Sequence, residues 1–564
     1  MDTNEIIRKY ALQNALKFDG KANAGAVIGK VLAENPELKP KLKGIAKETS
    51  EIVKKINKMD LEKIREELQA VAPELLEKKE HEKKGLQELE KAETGKVVMR
   101  IAPYPSGPLH IGNARPAILN DEYVKKYGGK LLLIIDDTIG SEEKQLVKEA
   151  FDLIPEGMRW LKMGFDSKII YKSDRLGIYY KYAEELIKKD KAYACFCSVE
   201  QLRKNREKGI ECIHRKAAAG ENLKEWKKMV EGKYKEGEAV LRLKTAMNHP
   251  NPAFRDRVLF RISEREHPRV GKKYKVWPML EFSWAIDDHL LGITHVIRGK
   301  ELMMESEMEK FIWDIFKWPS PVLIHTGLLK LEGVKISKSK SSKEVRAGIY
   351  SGWDDPRTWS LQSLARRGIK PEAIRSFILS FGLTQTEITV PIETLYSENR
   401  KLIEKEANRY FFVEEPKEIL IEKAPEQVCE LGLHPDFKEK GVRKFNTGTK
   451  FYISNNDFKQ LKENNLYRLM DCLNFKKLNN KFIFDSLDYE KFRERGERIM
   501  HWLPVEYGLV NVEVVMDDGE IKKGLAEKAT RALDVGAVIQ FERFAFCRLD
   551  KKEKDKLIFW FTHK

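Results

Sequence analysis

The chain has 564 residues and a mass of 65.5 kDa, enough for about three to five domains. Its net charge of +16 and its pI of about 9.2 indicate a polyanionic partner. No run of about 18 apolar residues occurs, the N-terminal segment lacks the apolar core of a signal peptide, and the six cysteines are not spaced like a secreted disulfide framework. The composition excludes a membrane-spanning or disulfide-stapled protein, and we expect a cytoplasmic one without a membrane partner.

Residues 1–96 are predicted to form a helical N-terminal extension. Apolar residues recur there at helical spacing, as at Val27 and Val31 and at Ile45 and Ile52. This part carries 20 Lys+Arg against 18 Asp+Glu, so nearly all of the net positive charge lies in the rest of the chain. We interpret its charged faces as solvated, with contact to RNA as the alternative.

Residues 97–174 alternate strand and helix patterns, which predicts the first half of a parallel α/β domain. The apolar run Leu131–Ile135 is typical of a strand buried on both faces, and it ends at Asp136. Acidic residues just beyond the carboxyl end of such a strand lie in the ligand crevice of an open α/β sheet. We therefore expect Asp136 to face a ligand.

The stretch Arg100–Asn120 contains the most informative pattern of this half. It follows a short apolar strand, breaks at proline and glycine residues, and becomes helical at about Ile111. A strand, a tight turn and a helix N-terminus form an anion site, because unpaired helix N–H groups point at whatever lies there. His110 and Asn113 can donate hydrogen bonds to phosphate oxygens. We expect a nucleotide triphosphate here, whereas a lone histidine at a helix start is more often a cap.

The rest of the chain contains further segments that differ in composition and in predicted structure. Residues 175–276 hold cysteines and charged helices, and we interpret them as an insertion into the α/β domain, whose pattern returns at residues 277–335. Residues 336–408 are predicted to be a loop followed by a helical stem. Residues 409–564 show short strand patterns between Gly, Asn and Asp turns, which predicts antiparallel β-barrels.

A lysine-rich loop, Lys335–Lys340, follows a strand pattern of the second half. Lysines in such a loop can hold the β- and γ-phosphates of a nucleotide and offset the charge of the leaving pyrophosphate. A solvated, flexible loop is the alternative when the segment is taken alone. Its place after the His110 stretch, each behind a strand of the same sheet, favours the phosphate interpretation.

The sequences HIGN at His110–Asn113 and KISKS at Lys335–Ser339 resemble the HIGH and KMSKS signatures of class I aminoacyl-tRNA synthetases. The segments LLIIDDT, YKSD and DDHLLGITHVIRGKEL narrow the resemblance to the glutamyl/glutaminyl branch and, from about residue 99 onward, to archaeal-type glutamyl enzymes. The resemblance implies a multidomain protein. Its parts are a Rossmann-type α/β catalytic domain with an inserted acceptor-binding domain, a helical N-terminal extension, a helical stem domain and C-terminal antiparallel β-barrels that bind the anticodon.

The resemblance also implies roles for individual residues. The ATP-binding residues would be Ser106, Gly107, His110, Gly112, Asn113, Lys335, Ser337 and Lys338, of which His110, Asn113, Lys335 and Lys338 would be catalytic. The glutamate-binding residues would be Arg100, Asp136, Arg298 and Trp277, with Trp284 as a further wall. Arg298 would hold the side-chain carboxylate, because a buried guanidinium is left unneutralised by an amide. Two positions depart from the family pattern: Asn113 replaces a second histidine, and Leu280 replaces a tyrosine.

Four residues of the insertion offer a complete tetrahedral set of zinc ligands: Cys195, Cys197, Cys212 and His214. Because all four positions would be filled, the zinc would be structural. Similar sites in some glutamyl enzymes support this prediction, and four reduced residues are the alternative. We interpret the other cysteines as ordinary buried thiols.

Contacts with RNA are harder to assign to residues. Basic side chains that could neutralise phosphates cluster on one segment of the insertion, at Arg203, Lys204, Arg206 and Lys208. Aromatic side chains that could stack on bases are Tyr410, Phe411, Phe412 and Tyr507. Solvated faces and core packing are the respective alternatives.

Together these features predict ATP-dependent ligation of L-glutamate to the 3′ end of tRNA(Glu) through a glutamyl-adenylate, with Mg²⁺ on the phosphates and a structural Zn²⁺. The resemblance leaves open whether tRNA(Gln) is also charged, and we expect a monomer. A glutaminyl-tRNA synthetase is one alternative, against which Arg298 argues. The others are a small-molecule nucleotidyltransferase, which would not need the basic insertion and barrels, and a catalytically silent tRNA-binding paralogue.

Overall fold

The structure is a computed structural model that describes residues 3–17, 20–34, 42–72, 75, 86–140, 145–334, 338–506 and 508–564. The chain divides into two compact units, Met1–Gly85 and Leu86–Lys564. Among the described helices, none combines the length and the apolar character needed to cross a membrane.

The first unit is helical, as the apolar spacing predicts. Its described helices are Thr3–Lys17, Ala24–Glu34, Leu42–Ile56 and Leu61–Val71. Their inner faces form one core that includes Val27, Val31, Ile45 and Ile56. The side chain of Asp60 caps the helix that follows it by accepting a hydrogen bond from a backbone N–H of the first turn.

Five parallel strands form the central sheet of the second unit. Across the sheet their order is Ile170–Tyr171, Lys130–Ile135, Val98–Ile101, His295–Gly299 and Val322–Thr326. Helices that connect strands of this sheet are Ile111–Tyr127, Ala150–Trp160 and Met303–Phe316. The chain order reverses between Val98–Ile101 and His295–Gly299. Open α/β sheets bind ligands at such a switch point, beyond the carboxyl ends of the strands.

The helix Ile111–Tyr127 is fixed to the strand that carries Arg298. Asn120 is buried at mid-helix, its Nδ2 donates to the backbone oxygen of Ile297 at 2.8 Å, and its Oδ1 accepts from the N–H of Ile297 at 3.3 Å. The helix ends at Gly128, whose left-handed conformation (φ +60°) suits a residue without a side chain. The first motif and Arg298 therefore belong to one rigid assembly.

The insertion contains a four-stranded antiparallel sheet. Its strands, in sheet order, are Ala192–Cys195, Val240–Leu243, Val258–Ile262 and Val276–Pro278. Its helices are Leu176–Lys188, Val199–Lys208 and Ala219–Val230. Because Val276–Pro278 completes this sheet, Trp277 belongs to the insertion, whereas the pattern grouped it with residues 277–335. A three-residue strand carries no signal about which sheet it joins.

Helices and a short sheet lead from the catalytic domain to the C-terminal part. These helices are Lys338–Arg346, Leu361–Arg366, Pro371–Leu379 and Glu393–Ile403, whereas Leu280–Leu290 connects the insertion to the strand His295–Gly299. Leu329–Glu332 pairs in parallel with Ile388–Pro391. Arg115, on the helix Ile111–Tyr127, is buried and holds the loops beside this pair. Its side chain donates to the backbone oxygens of Gly327 and Gly382.

Two seven-stranded sheets make up most of the C-terminal part. One has the order Gly496–Met500, Leu466–Leu469, Asn474–Leu478, Lys481–Ser486, Pro416–Glu422, Lys450–Ser454 and Leu503–Pro504. The other has the order Arg409–Tyr410, Val538–Phe541, Ala545–Lys552, Lys556–His563, Val510–Val515, Ile521–Ala526 and Phe412–Glu414. Gln427–Gly432 and Val442–Thr447 form a separate hairpin. In each large sheet the two edge strands are neighbours in the chain, so each sheet closes on itself as a barrel.

The prediction that these barrels are antiparallel was wrong, because both contain parallel pairs. Val510–Val515 runs parallel to Lys556–His563, and Leu466–Leu469 runs parallel to Gly496–Met500. Parallel neighbours need a crossover connection instead of a tight hairpin. The helix Tyr489–Arg495 lies in one such crossover.

Residues 409–414 form a wall that the two barrels share. Tyr410 and Phe412 pack into the core of one barrel, and Phe411 and Val413 pack into the core of the other. Successive side chains of an extended segment point to opposite faces, which is why one segment can serve two cores. The core-packing interpretation of these aromatic residues is confirmed, and Tyr507 lies outside the described residues.

Gly129 offers a test of how the first two strands are fixed. A Cβ atom at Gly129 would lie 2.1 Å from the backbone oxygen of Val97, which accepts the N–H of Lys130 at 2.8 Å. We expect Gly129→Ala to break this pairing and to lower the midpoint of thermal unfolding by more than Gly128→Ala. Gly128 is the matched control, because a Cβ there meets nothing within 4 Å and only its φ of +60° opposes a side chain, at about 1–2 kcal/mol. Equal losses in the two variants would contradict the expectation.

Candidate active site

A cavity of about 940 Å³ lies at the carboxyl edge of the parallel sheet, at the switch point. Its lining includes the end of the first strand, the start of the helix Ile111–Tyr127, the helix Leu280–Leu290 and the helix Lys338–Arg346. Five of the predicted site residues line it: Arg100, Ser106, Asn113, Asp136 and Arg298. The sheet therefore gathers residues that lie almost 200 positions apart in the sequence.

Arg100, at the end of the first strand, is buried against Asp288. Its Nε donates to Oδ1 of Asp288 at 2.5 Å and its Nη2 donates to Oδ2 at 2.9 Å. Burial opposes the charged guanidinium, but the Asp288 carboxylate outweighs this effect and the pKa of Arg100 is raised. Arg100 is thus a permanent cation at the inner wall of the cavity.

Asp136 follows the second strand, as expected, and is fully buried. The Nζ of Lys172, also fully buried, lies 3.0 Å from its Oδ2, and Thr138 Oγ1 donates to its Oδ1 at 3.1 Å. Lys172 donates as well to Ser283 Oγ at 2.7 Å. Burial lowers the pKa of Lys172, and the charge of Asp136 opposes this shift.

Arg298 lies on the fourth strand of the chain's parallel sheet and is held by Glu309. Its Nη1 and Nη2 donate to the two carboxylate oxygens at 2.9 and 2.8 Å, and Nη2 also donates to Ser306 Oγ at 2.5 Å. Glu309 is fully buried, and this burial raises its pKa to about 7 despite the nearby guanidinium. The guanidinium predicted to await a substrate carboxylate already has a carboxylate partner.

The indole ring of Trp284 lies between these three ion pairs. The charged groups of Arg100, Lys172 and Arg298 are 4.7, 5.1 and 5.1 Å from its ring centroid. Such distances allow cation–π attraction, which is stronger where water is excluded. Trp284 and Asp288 are one helical turn apart, so they lie on the same face of the helix, and Trp284 lines the cavity.

The residues that are predicted to bind the nucleotide lie around the start of the helix Ile111–Tyr127. His110 is its N-cap, and its Nδ1 accepts the N–H of Gly112 at 3.1 Å. Asn113 is exposed and lines the cavity, whereas His110 and Gly112 lie beside the lining. A Cβ at Gly107 would lie 2.6 Å from Cη2 of Trp353, so this glycine permits a close approach of the two segments.

The lysine loop is only partly described. Lys335 and Ser337 lie outside the described residues, as does the side chain of Lys338. The helix Lys338–Arg346 that follows contributes Ser342, Lys343 and Arg346 to the cavity lining. Lys343 and Arg346 were missed by sequence reasoning, although their spacing of three residues directly after the motif is a usable signal for one helical face.

Trp277 is the predicted glutamate-binding residue that the structure places away from the cavity. It is fully buried in the insertion, where its ring stacks on His267 with centroids 5.1 Å apart. Trp284 and Leu280 take the corresponding place in the lining. The counter-ions Asp288, Lys172 and Glu309 were also missed, although two of them lie inside the quoted segments DDHLLGITHVIRGKEL and YKSD.

The four predicted zinc ligands converge in the insertion, with their ligand atoms all within 4.8 Å of one another. Cys197 Sγ and Cys195 Sγ lie 3.3 and 3.7 Å from Cys212 Sγ, and His214 Nδ1 lies 3.0 Å from Cys212 Sγ. Zinc–sulfur bonds of about 2.3 Å in a tetrahedron place sulfurs about 3.8 Å apart. Burial, together with the neighbouring thiols of Cys212 and Cys195, raises the pKa of Cys197 to about 12.

The Arg100–Asp288 pair makes a prediction about stability. Asp288→Asn would leave a buried guanidinium without its main counter-charge, which typically costs about 3–5 kcal/mol. We therefore expect a clear fall in the midpoint of thermal unfolding, measured by calorimetry. Asp314→Asn on a neighbouring helix is the control, because Asp314 is exposed. An unchanged midpoint for Asp288→Asn would show that the pair is not needed for folding.

Comparisons with known proteins identify the family of the chain. Two family models match: tRNA synthetases class I (E and Q), catalytic domain, over residues 96–405, and tRNA synthetases class I (E and Q), anti-codon binding domain, over residues 407–481. The chain is 46% identical over 578 residues to the glutamate–tRNA ligase of Pyrococcus furiosus, with all of both chains covered. It is 43% identical over 564 residues to that of Methanocaldococcus jannaschii, covering 99% of this chain and 100% of the relative. The resemblance carried by the two signature motifs is thereby confirmed, and the chain belongs to the archaeal-type glutamate–tRNA ligases, a family of class I aminoacyl-tRNA synthetases.

Proposed function

We propose that the chain joins L-glutamate to the 3′ end of tRNA(Glu) at the expense of ATP, through a glutamyl-adenylate. The observation that carries this function is the set of Arg100, Asp136 and Arg298 around one cavity beside the helix start at Ile111. Two guanidinium groups and one carboxylate complement the two carboxylates and the ammonium group of glutamate. The helix start supplies donors for the phosphates of the nucleotide.

In the first step, Asp136 receives the ammonium group of glutamate, Arg100 holds one of its carboxylates and Arg298 holds the side-chain carboxylate. An oxygen of the α-carboxylate attacks the α-phosphorus of ATP, and the bond to the bridging oxygen breaks to release pyrophosphate. Asn113 and Ser106, which line the cavity, and His110, with Gly107 and Gly112 beside it, hold the nucleotide. Lys335, Ser337 and Lys338 complete this set, and Mg²⁺ offsets phosphate charge.

In the second step, a terminal ribose hydroxyl of the tRNA attacks the carbonyl carbon of the adenylate and AMP leaves. No protein nucleophile takes part, so catalysis rests on positioning and on stabilising charge as it develops. Lys343 and Arg346, which also line the cavity, are suited to the phosphate that departs with AMP.

RNA binding is assigned to the insertion and to the C-terminal barrels. On the helix Val199–Lys208, Arg203, Lys204 and Lys208 are exposed and free to meet phosphates of the acceptor end. Arg206 instead donates to the backbone oxygen of Ala253 at 2.8 Å and has a structural role. The barrels would read the anticodon, as the family model over residues 407–481 suggests.

A structural zinc ion fits the cluster of Cys195, Cys197, Cys212 and His214. The donor set is complete, its spacing suits a tetrahedron, and no position remains open for a substrate. Bound zinc would hold the end of the strand Ala192–Cys195 against the turn at Cys212, and so fix the base of the basic helix between them.

The substrate assignment is tested by tRNA-dependent exchange of pyrophosphate into ATP, with glutamate and with glutamine. We expect exchange with glutamate, because Arg298 favours a carboxylate over a neutral amide. Exchange with glutamine alone would overturn the assignment, and no exchange with either would favour an inactive tRNA-binding protein. Whether tRNA(Gln) is also charged is decided by aminoacylating both tRNAs in parallel.

The zinc assignment is tested by Cys212→Ser and elemental analysis of the purified protein. We expect about one zinc per chain in the parent and a clear loss in the variant, because Cys212 contributes one of four ligands. Cys547→Ser is the matched control, since Cys547 is buried in a C-terminal barrel away from the cluster. Unchanged zinc content in Cys212→Ser would remove the assignment.

A further inference from the structure

The pair with Glu309 does not use all of the N–H groups of Arg298. Both terminal nitrogens donate to the Glu309 carboxylate, and Nη2 also donates to Ser306. The Nε of Arg298 is buried and has no hydrogen-bond partner in the structure. Arg298 itself lines the cavity and is 5% exposed. Three of the five N–H groups of this nearly buried guanidinium are therefore used, and two, on Nε and on Nη1, are left for a ligand.

A second carboxylate on this guanidinium raises a charge problem. Arg298 and Glu309 together are neutral when Glu309 is ionised, so a substrate carboxylate adds an unbalanced negative charge to a buried site. Two carboxylates that share one site cannot both ionise at their ordinary pKa, and one of them takes up a proton. An amide in the same place adds no charge and meets no such obstacle.

The groups around Glu309 decide which carboxylate takes the proton. Arg100 faces it from the first strand and favours its ionised form, although both oxygens of Asp288 occupy the Arg100 fork. Asp288, from the helix Leu280–Leu290, opposes ionisation of Glu309. His325, from the fifth strand, lies 2.7 Å from Ser306 Oγ, and burial lowers its pKa. Lys300, from the short turn before the helix of Glu309, pairs with Glu387 at 2.9 Å.

We propose that Glu309 is a proton-exchanging counter-ion of Arg298, so that one proton from solvent binds to the Glu309 carboxylate when the side-chain carboxylate of glutamate binds to Arg298. The inference rests on the proposed function, which puts that carboxylate on Arg298. The charge balances: one carboxylate is neutralised by the proton and the other by the guanidinium. Glu309 does not touch the substrate, and it acts as a positioning residue through Arg298.

The pKa of Glu309, raised by burial to about 7, makes this exchange possible near neutral pH. Below that pH, Arg298 in the free enzyme has no ionised partner in Glu309 and selects a carboxylate strongly. Above it, a proton must be taken from an increasingly basic solution before glutamate binds. Preference for glutamate over glutamine therefore falls as the pH rises.

The test is the KM for glutamate in aminoacylation of tRNA(Glu) by the full chain between pH 6.5 and 8.5. For the parent we expect KM to rise about tenfold per pH unit above about pH 7, as uptake of one proton requires. In Glu309→Gln the rise should disappear. Glu307→Gln is the control and should keep the parent profile, because Glu307 is on the same helix but is exposed and pairs with Lys310 at 3.0 Å.

A KM that does not vary with pH in the parent, or a parental profile in Glu309→Gln, would overturn the proposal. If Glu309→Gln does not fold, calorimetric titration of the parent–tRNA complex with glutamate at pH 8, in two buffers of different ionisation enthalpy, counts the protons directly. About one proton supports the proposal and none refutes it. Absence of any glutamylation is a different result, which refutes the proposed function instead.

Discussion

The structure depends on holding three buried ion pairs at separate positions around the ring of Trp284. Each of the cations Arg100, Lys172 and Arg298 has a resident carboxylate partner, and each lies about 5 Å from the same indole. Ions removed from water are costly unless paired with good geometry. The pairs allow three charges to stand in one small volume before any substrate arrives. The cavity is thus preorganised by compensated charge and not by an empty set of binding groups.

The frame that keeps these pairs in place is made of hydrogen bonds to the backbone and not of further ion pairs. Asn120 fixes the first helix to the strand of Arg298, and the buried Arg115 of the same helix meets only backbone oxygens among its hydrogen-bond partners in the described residues. On the other side, the N–H of Leu361 donates to the backbone oxygen of Leu109 at 2.9 Å. The turn before the helix Ile111–Tyr127 is therefore held by the stem as well as by the sheet.

The sequence was informative where a local pattern has one structural meaning. The apolar run before Asp136 predicted a buried parallel strand and a ligand crevice at its end, and both agree with the structure. It was not informative where meaning depends on distant partners. Arg100 and Asp288 are 188 residues apart, so nothing local identifies the pair. Trp277 and Trp284 look alike as candidate walls, and only the sheet that Trp277 joins separates them. The parallel pairs in the barrels were missed because alternation predicts a strand but not its direction.

The wall shared by the two barrels has a consequence for how rigidly the barrels are joined. Tyr410 and Phe411 are adjacent residues but belong to different cores, so neither barrel can shift without disturbing the other. Arg367 of the stem in turn donates to the backbone oxygens of Phe561 and Thr562 in the final strand. The placement of the two barrels and the stem relative to one another is then set by packed side chains and backbone hydrogen bonds and not by a linker.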